Sequence, residues 1–464
     1  CRKNGRGALH IDAEVSNGER MKNNTMQYRN LLACLGIVLA IDGIGCMAVV
    51  KGLLDYNIRE LSIGVVIGAV LLMATGQCCT QIQKTTWQIR LIGLYSLATL
   101  VLAFFSGIGL MESGSGFVYQ GAYFVEIILL WNMRRDGNLE NYVKIGFWVS
   151  GVFCIIELAL LMVRGWVPYF NNFYSLHKNV NMVDMGTRIF PPLFNTFYDS
   201  SFVNPFDKMA KSWLFTDILF DREATGTLAY ATFVFAVAYR ANKKPTRICK
   251  YIVLLSSVAA IAVSSRRSIY MAVILTLILH GKNMHVMAWV RSHKRLTAIL
   301  VSGGVVLLTW ASISAPIIRD LIMVVVTKFW NGLITMLGLS KADASASMRF
   351  ESASLAWNSY KESTMLQFLF GRGYMHSWVD MPFFQAFIDL GVFGGIVFSI
   401  IMFVVPLKYL WKKTNSAAVM AAQYFTVLSM IEGLFNSFPY GKFFSIVLLL
   451  MASDWKNKKM EVAL

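Results

Sequence analysis

The stretch "LLACLGIVLAIDGIGCMAVV", residues 31–50, carries one charged side chain in twenty positions. At ~1.5 Å of rise per residue, a helix of that length matches the ~30 Å hydrocarbon core of a bilayer. Lipid offers no partner for backbone N–H and C=O groups, so spanning segments must satisfy their own hydrogen bonds. Comparable segments recur near 61–79, 91–109, 117–132, 145–163, 225–239, 249–264, 268–280, 297–314, 384–405, 417–436 and 441–453, about twelve in all. Those at 117, 268 and 441 are short. Charged residues make up 15% of the chain, against roughly 25% in a soluble domain. The expected fold is all-α: a polytopic integral membrane protein of about twelve transmembrane helices, one membrane domain over residues 21–464.

A formal net charge of +17 would suit nucleic acid, but its placement excludes that partner. Basic residues gather at every second connection: Arg134 and Arg135; Arg240, Lys243, Lys244, Arg247 and Lys250; Lys282, Arg291, Lys294 and Arg295; Lys408, Lys412 and Lys413; Lys456, Lys458 and Lys459. Loops of this kind stay cytoplasmic. The alternation fits every span and puts both termini inside, with membrane lipid as the surrounding partner.

Of the cysteines, Cys34, Cys46, Cys78, Cys79, Cys154 and Cys249 lie in or near spans and Cys1 in the tail, so no disulfide framework is implied. Residues 1–20 have no apolar h-region of a signal peptide; Met21 reads as a natural start, with 1–20 a remnant outside the fold. Two outer connections are long, 164–224 and 315–383. They carry aromatic, amphipathic stretches such as "RGWVPYFNNFYSL" and "TKFWNGLITML". These suit helices lying along the interface and anchored by Trp and Tyr, or flat faces for sugar rings.

"SSRRSIYMAVIL" puts Arg266 and Arg267 at the outer end of two spans joined by almost no loop. A charge at bilayer depth costs about 2.5–3.5 kcal/mol on insertion scales, so the pair needs an anionic partner or must snorkel to lipid phosphate. Arg188, Arg222, Arg349 and Arg372 lie on the same side. A guanidinium fork binds phosphate oxygens bidentately, and several converging forks suit a pyrophosphate. Asp42, Glu126, Glu157, Asp389 and Glu432 fall within spans, where acids either mark ion pathways or pair with neighbouring helices. No GxxxxGK[ST], HExxH or DxD motif is present. Inner loops of about 10–15 residues are too short for a nucleotide-binding domain, which takes ~30. His280, His285 and His293, near the inner surface, read as lipid-facing charge rather than a metal site. Chemistry here must use an already activated substrate reached from outside.

The segment "GRGYMHSWVDMPFFQAFIDLGVFGG", residues 371–395, resembles the signature of the O-antigen polymerase and O-antigen ligase superfamily. That pattern is a loop arginine, a G-x-G turn, a polar residue opening a helix, then Gly-x-x-Gly. Here these are Arg349, Gly371 and Gly373, Asp380, and Gly391 with Gly394. "SSRRS" resembles the family's outward Ser-Arg motif, with Arg266 in place, and "TRIFPPLFN" with "DREATGTLAY" its arginine-containing segment, through Arg188 and then Arg222. The resemblance covers about residues 180–400. In the ligase branch a histidine usually opens the helix; here Asp380 does, with His376 one turn earlier, which favours the polymerase branch and leaves the base open between the two. The resemblance implies a metal-independent glycosyltransferase of the GT-C-type fold, in a bacterial inner membrane, with its two long loops periplasmic. It would move a growing glycan from undecaprenyl pyrophosphate onto a hydroxyl of the next lipid-linked repeat unit, alongside a chain-length regulator protein. Arg188, Arg266 and Arg349 would hold the pyrophosphate, with Arg222, Arg267 and Arg372 as further candidates, and His376 or Asp380 would act as acid–base group. A ligase acting on lipid A core and a flippase for lipid-linked oligosaccharide are the competing readings.

Overall fold

Lipid is as apolar as any protein interior, so membrane helices sort polar groups inward rather than apolar groups. The helices of this protein do so throughout. A computed structural model describes residues 5–54, 63–75, 86–105, 114–132, 141–160, 222–264, 266–284, 344–373, 379, 381–435 and 443–462, with isolated positions from 292 to 335. Within these the secondary structure is helical, without strands. In chain order the helices are α1 (Gly5–Leu54), α2 (Ile63–Ala74), α3 (Trp87–Phe105), α4 (Gly114–Asn132), α5 (Tyr142–Leu160), α6 (Arg222–Ala238), α7 (Lys244–Ser264) and α8 (Arg267–Asn283). Then follow α9 (Ala344–Lys361), α10 (Met365–Phe370), α11 (Pro382–Ser399), α12 (Val405–Leu410), α13 (Ala417–Phe435) and α14 (Phe443–Val462).

Among the described residues, five segments are long and apolar enough to cross a bilayer: Gln27–Val50, Trp87–Phe104, Tyr142–Leu160, Pro382–Leu410 and Ala417–Phe435. Shorter apolar helices lie at Ile63–Ala74, Gln120–Trp131, Ala224–Ala238 and Phe443–Asp454. The expected span at 297–314 and most of the loop 164–224 lie outside the described residues; the second long loop contains α9 and α10.

The outer faces carry exposed Leu94, Val101 and Phe104 on α3, Leu255 on α7, Leu277 and Ile278 on α8, and Phe393 and Ile396 on α11. Inside sit Asp42, Glu126, Glu157, Asp389, Glu432 and Arg266, all buried. Helices α6 and α13 form the axis: α6 packs on α1, α5, α7, α8 and α13, and its residues 224–226 and 228–236 are buried or nearly so. The α1–α2 seam is closed by Gly43 against Gly64, where a Cβ on Gly64 would stand 2.0 Å from the Gly43 carbonyl oxygen. Small residues at such a crossing let backbones touch, the main source of helix association in lipid.

Three irregularities interrupt the helices. Helix α1 breaks at Asp42 (φ −138°, ψ 25°), in the middle of its apolar stretch. Helix α11 breaks at Gly391, where φ is +70°. Between α11 and α12 the chain runs as a π-helix, Ile400–Val404, just before Pro406. Proline has no N–H and its ring crowds the carbonyl four residues back; a wider turn relieves that crowding without ending the helix.

One sequence expectation is corrected. His280 is not lipid-facing: it is half-buried, and its Nδ1 lies 3.0 Å from the Tyr424 hydroxyl of α13. His285 lies outside the described residues.

Candidate functional site

The turn between α7 and α8 has no room for a loop. Helix α7 ends at Ser264 and α8 begins at Arg267, so only two residues join them. The Ser264 hydroxyl turns back to the Ile261 carbonyl at 2.8 Å. Arg266 is extended (φ −90°, ψ 114°), and its carbonyl accepts from the amides of Ile269 and Tyr270 at 3.1 and 3.2 Å. A side chain leaving an extended N-cap position is free of the helix and can fold into the bundle. The Arg266 stem lies against Gly226 of α6, where a Cβ would stand 3.1 Å from the arginine Cδ. Its Nη2 then meets Glu432 Oε1 of α13 at 3.1 Å, with the two side chains only 11% and 1% exposed. The anionic partner that the sequence demanded for Arg266 is thus a carboxylate of the protein. Arg267, beside it, is half-buried.

Glu432 also faces a narrow cleft between α1, α4, α6, α13 and α14, together with Tyr123, Thr227, Tyr230, Ser429 and Ser445. Tyr230 is fixed by the Thr276 hydroxyl at 2.8 Å and donates to the Tyr424 carbonyl at 2.7 Å. Ser429 and Ser445 hydroxyls join α13 to α14 at 2.6 Å. On the far side of α6, Glu157 lies beside Thr225, and both Glu157 and Asp42 lie within electrostatic reach of Cys46 and Cys154. The first turns of α6 therefore run between a buried acidic pair and the Arg266–Glu432 pair.

The G-R-G turn forms a second polar region. Gly371 and Gly373 have φ of +90° and +105°, a range that favours glycine. The amides of Arg372 and Gly373 donate to the carbonyls of Ile388 and Asp389 at 2.9 and 3.1 Å. A helix running straight through Gly391 would bond those carbonyls to residues 392 and 393; the break frees them and the turn takes them up. The fit is reciprocal. A Cβ on Gly371 would stand 2.1 Å from the Asp389 carbonyl oxygen, and one on Gly391 would stand 2.3 Å from that of Leu369. Gln385 adds a buried link, accepting from the Val379 amide at 2.8 Å and donating to Asp389 Oδ1 at 2.7 Å. Arg372 Nε donates to the Ser363 hydroxyl at 2.8 Å, and Tyr360, whose phenol burial pushes above its usual range, donates to the Phe368 carbonyl.

Of the residues singled out in the sequence, Arg266 enters the bundle, Arg372 is fastened to the α9–α10 segment, and Arg349 is half-buried on α9. Arg188, His376 and Asp380 lie outside the described residues, as does the side chain of Arg222, whose backbone opens α6. Glu432 and its cleft are the functional feature that sequence reasoning missed. Glu432 was visible as an intramembrane acid, but nothing local ties α13 to the α7–α8 turn.

No known protein family, curated protein or solved structure matches this chain.

Proposed function

We propose that this protein is a metal-independent glycosyltransferase that polymerises undecaprenyl-pyrophosphate-linked repeat units into a surface polysaccharide, O-antigen or capsule. In this reading the chain crosses a bacterial inner membrane about twelve times in a GT-C-type fold. Both termini are cytoplasmic, the reactive end faces the periplasm, and a chain-length regulator is a partner. The observation that carries the reading is Arg266: a buried guanidinium, brought by a two-residue connection to Glu432 at the wall of a cleft inside an apolar bundle. An acceptor sugar hydroxyl attacks the anomeric carbon of the donor, and the bond from that carbon to the pyrophosphate oxygen breaks. The hydroxyl proton passes to His376 or Asp380, a step worth ~10²–10⁴ in rate. Charge developing on the departing undecaprenyl pyrophosphate is met by Arg266 with Arg188 and Arg349, and preorganised cations of this kind need no metal.

In the host strain, deleting the gene should leave surface glycan of single repeat units, and the wild-type gene should restore long chains. Arg266→Lys keeps a charge for Glu432 and loses the planar fork. It should insert normally yet fail to restore chain length. Long chains that persist after deletion would defeat the reading, and full restoration by Arg266→Lys would take the arginine fork out of it.

A flippase for lipid-linked oligosaccharide is favoured by a different observation, the breaks at Asp42 and Gly391 inside two membrane helices, with several carboxyls buried nearby. Discontinuous helices of this type form the substrate sites of transporters. Deletion would then remove all surface glycan rather than shorten it. A ligase would instead leave intact polymer on undecaprenyl pyrophosphate and none on lipid A core.

A further inference from the structure

We infer that the cleft beside Glu432 is a carbohydrate subsite, which receives the first sugar ring of a lipid-phosphate-linked glycan while its phosphate lies on Arg266. The lining has the chemistry that sugar recognition asks for. Tyr123, Tyr230, Phe425 and Phe444 supply ring surfaces for the C–H faces of a pyranose. Glu432, Ser429 and Ser445 supply a carboxylate and two hydroxyls, acceptors and donors at the spacing of a side-chain cluster rather than a single point. A lipid tail is the poorer occupant, because it would press hydrocarbon against a buried carboxylate and two hydroxyls.

Position points the same way. Glu432 is at once the residue that holds Arg266, at 3.1 Å, and a wall of the cleft. A phosphate arriving at Arg266 competes with that carboxylate. The sugar bonded to the phosphate is then delivered to the cleft, where the displaced carboxylate accepts from its hydroxyls. The subsite depends on the transferase reading for which glycan is delivered, whereas binding itself can be measured without turnover. It also gives α1, α4 and α14, which carry no motif, a place in substrate recognition.

The test uses the full chain in phosphatidylcholine nanodiscs and equilibrium binding of radiolabelled farnesyl phosphate. The same probe is then taken with glucose, galactose, N-acetylglucosamine or N-acetylgalactosamine on its phosphate. At least one glycosylated probe should bind about tenfold more tightly than farnesyl phosphate, as expected for two or three added hydrogen bonds. Ser429→Ala and Ser445→Ala should each cut that advantage by about two- to tenfold while leaving farnesyl phosphate affinity as it was. Ala231→Leu, which fills the cleft from α6, should abolish the advantage. The subsite is refuted if no glycosylated probe exceeds farnesyl phosphate. It is equally refuted if the advantage survives both serine variants and the cleft-filling one. A sugar-dependent advantage alongside long chains that persist when the gene is deleted would retain the subsite and remove the polymerase. No advantage alongside lost polymer would do the opposite.

Discussion

Replacing Glu432 by glutamine removes one charge from a pair that water barely reaches, and the consequence can be worked from the geometry. At 3.1 Å and an effective dielectric of about 20, the gross attraction between the two charges is about 5 kcal/mol. Desolvation offsets much of that gain while both partners are present. Once one is removed, the other remains as an uncompensated buried charge, and the loss is about 3–5 kcal/mol. Glu432→Gln and Arg266→Gln should therefore each destabilise the bundle by about that amount. The double variant leaves no buried charge at the pair, and it should be at least ~2 kcal/mol more stable than the sum of the two losses predicts. Reversible unfolding in mixed micelles, titrated with SDS and followed by tryptophan fluorescence, reads all four corners of the cycle. Losses that add to within ~0.5 kcal/mol would mean that the charges do not act on each other, and the buried pair would have to be given up.

Other consequences are more local. Gly391→Ala forces a Cβ into the Leu369 carbonyl at a left-handed backbone position; strain of ~1–2 kcal/mol and overpacking of ~1–3 kcal/mol should together lower the unfolding midpoint sharply, and an unchanged midpoint would show that the interlock with the G-R-G turn is absent. Tyr230→Phe loses the bonds to Thr276 and the Tyr424 carbonyl and should cost about 1–3 kcal/mol in the same assay. For sidedness, a cysteine placed at exposed Glu362 in a cysteine-free background should react with an impermeant maleimide from outside the cell, and one at exposed Asn242 should not. Labelling of Asn242→Cys in sealed cells would invert the proposed topology.

Much of the helical layout was legible because hydropathy alone decides it. The segment expected at 417–436 is helix α13, Ala417–Phe435, and that expected at 31–50 lies inside Gln27–Val50. The turn at Gly371 and Gly373 was legible because a G-x-G stretch after a polar loop suits positive φ, whereas Gly391 stood out only through the family resemblance and its break in the helix was not foreseen. The break at Asp42 was not foreseen: it falls on an Asp-Gly dipeptide, a turn signal that the surrounding apolar run outweighed. The facing of α8 was misjudged because Thr276 is the one strongly polar side chain in the apolar stretch "YMAVILTLIL". Thr276 and His280, four residues apart on one face, were the available signal, and both turn inward to Tyr230 and Tyr424. The pairing of Arg266 with Glu432 joins distant parts of the chain, and a single sequence holds no record of such partnerships.

The π-turn at Ile400–Val404 stores one residue more than an α-helix of the same height needs. At 3.6 residues per turn, that extra residue sets the upstream part of α11 about 100° around from where an uninterrupted ladder would place it. Deleting any single codon within the turn would erase the offset. Gly395 and Phe398, now buried, would swing off the bundle, and the upstream half, with the polypeptide loop fastened to it, would be re-aimed as a body. Chain length at this one point thus behaves as a phase setting for everything attached above it. An insertion or deletion here would change which surface meets lipid without altering hydropathy, so a variant that looks silent in composition would be rotated in space.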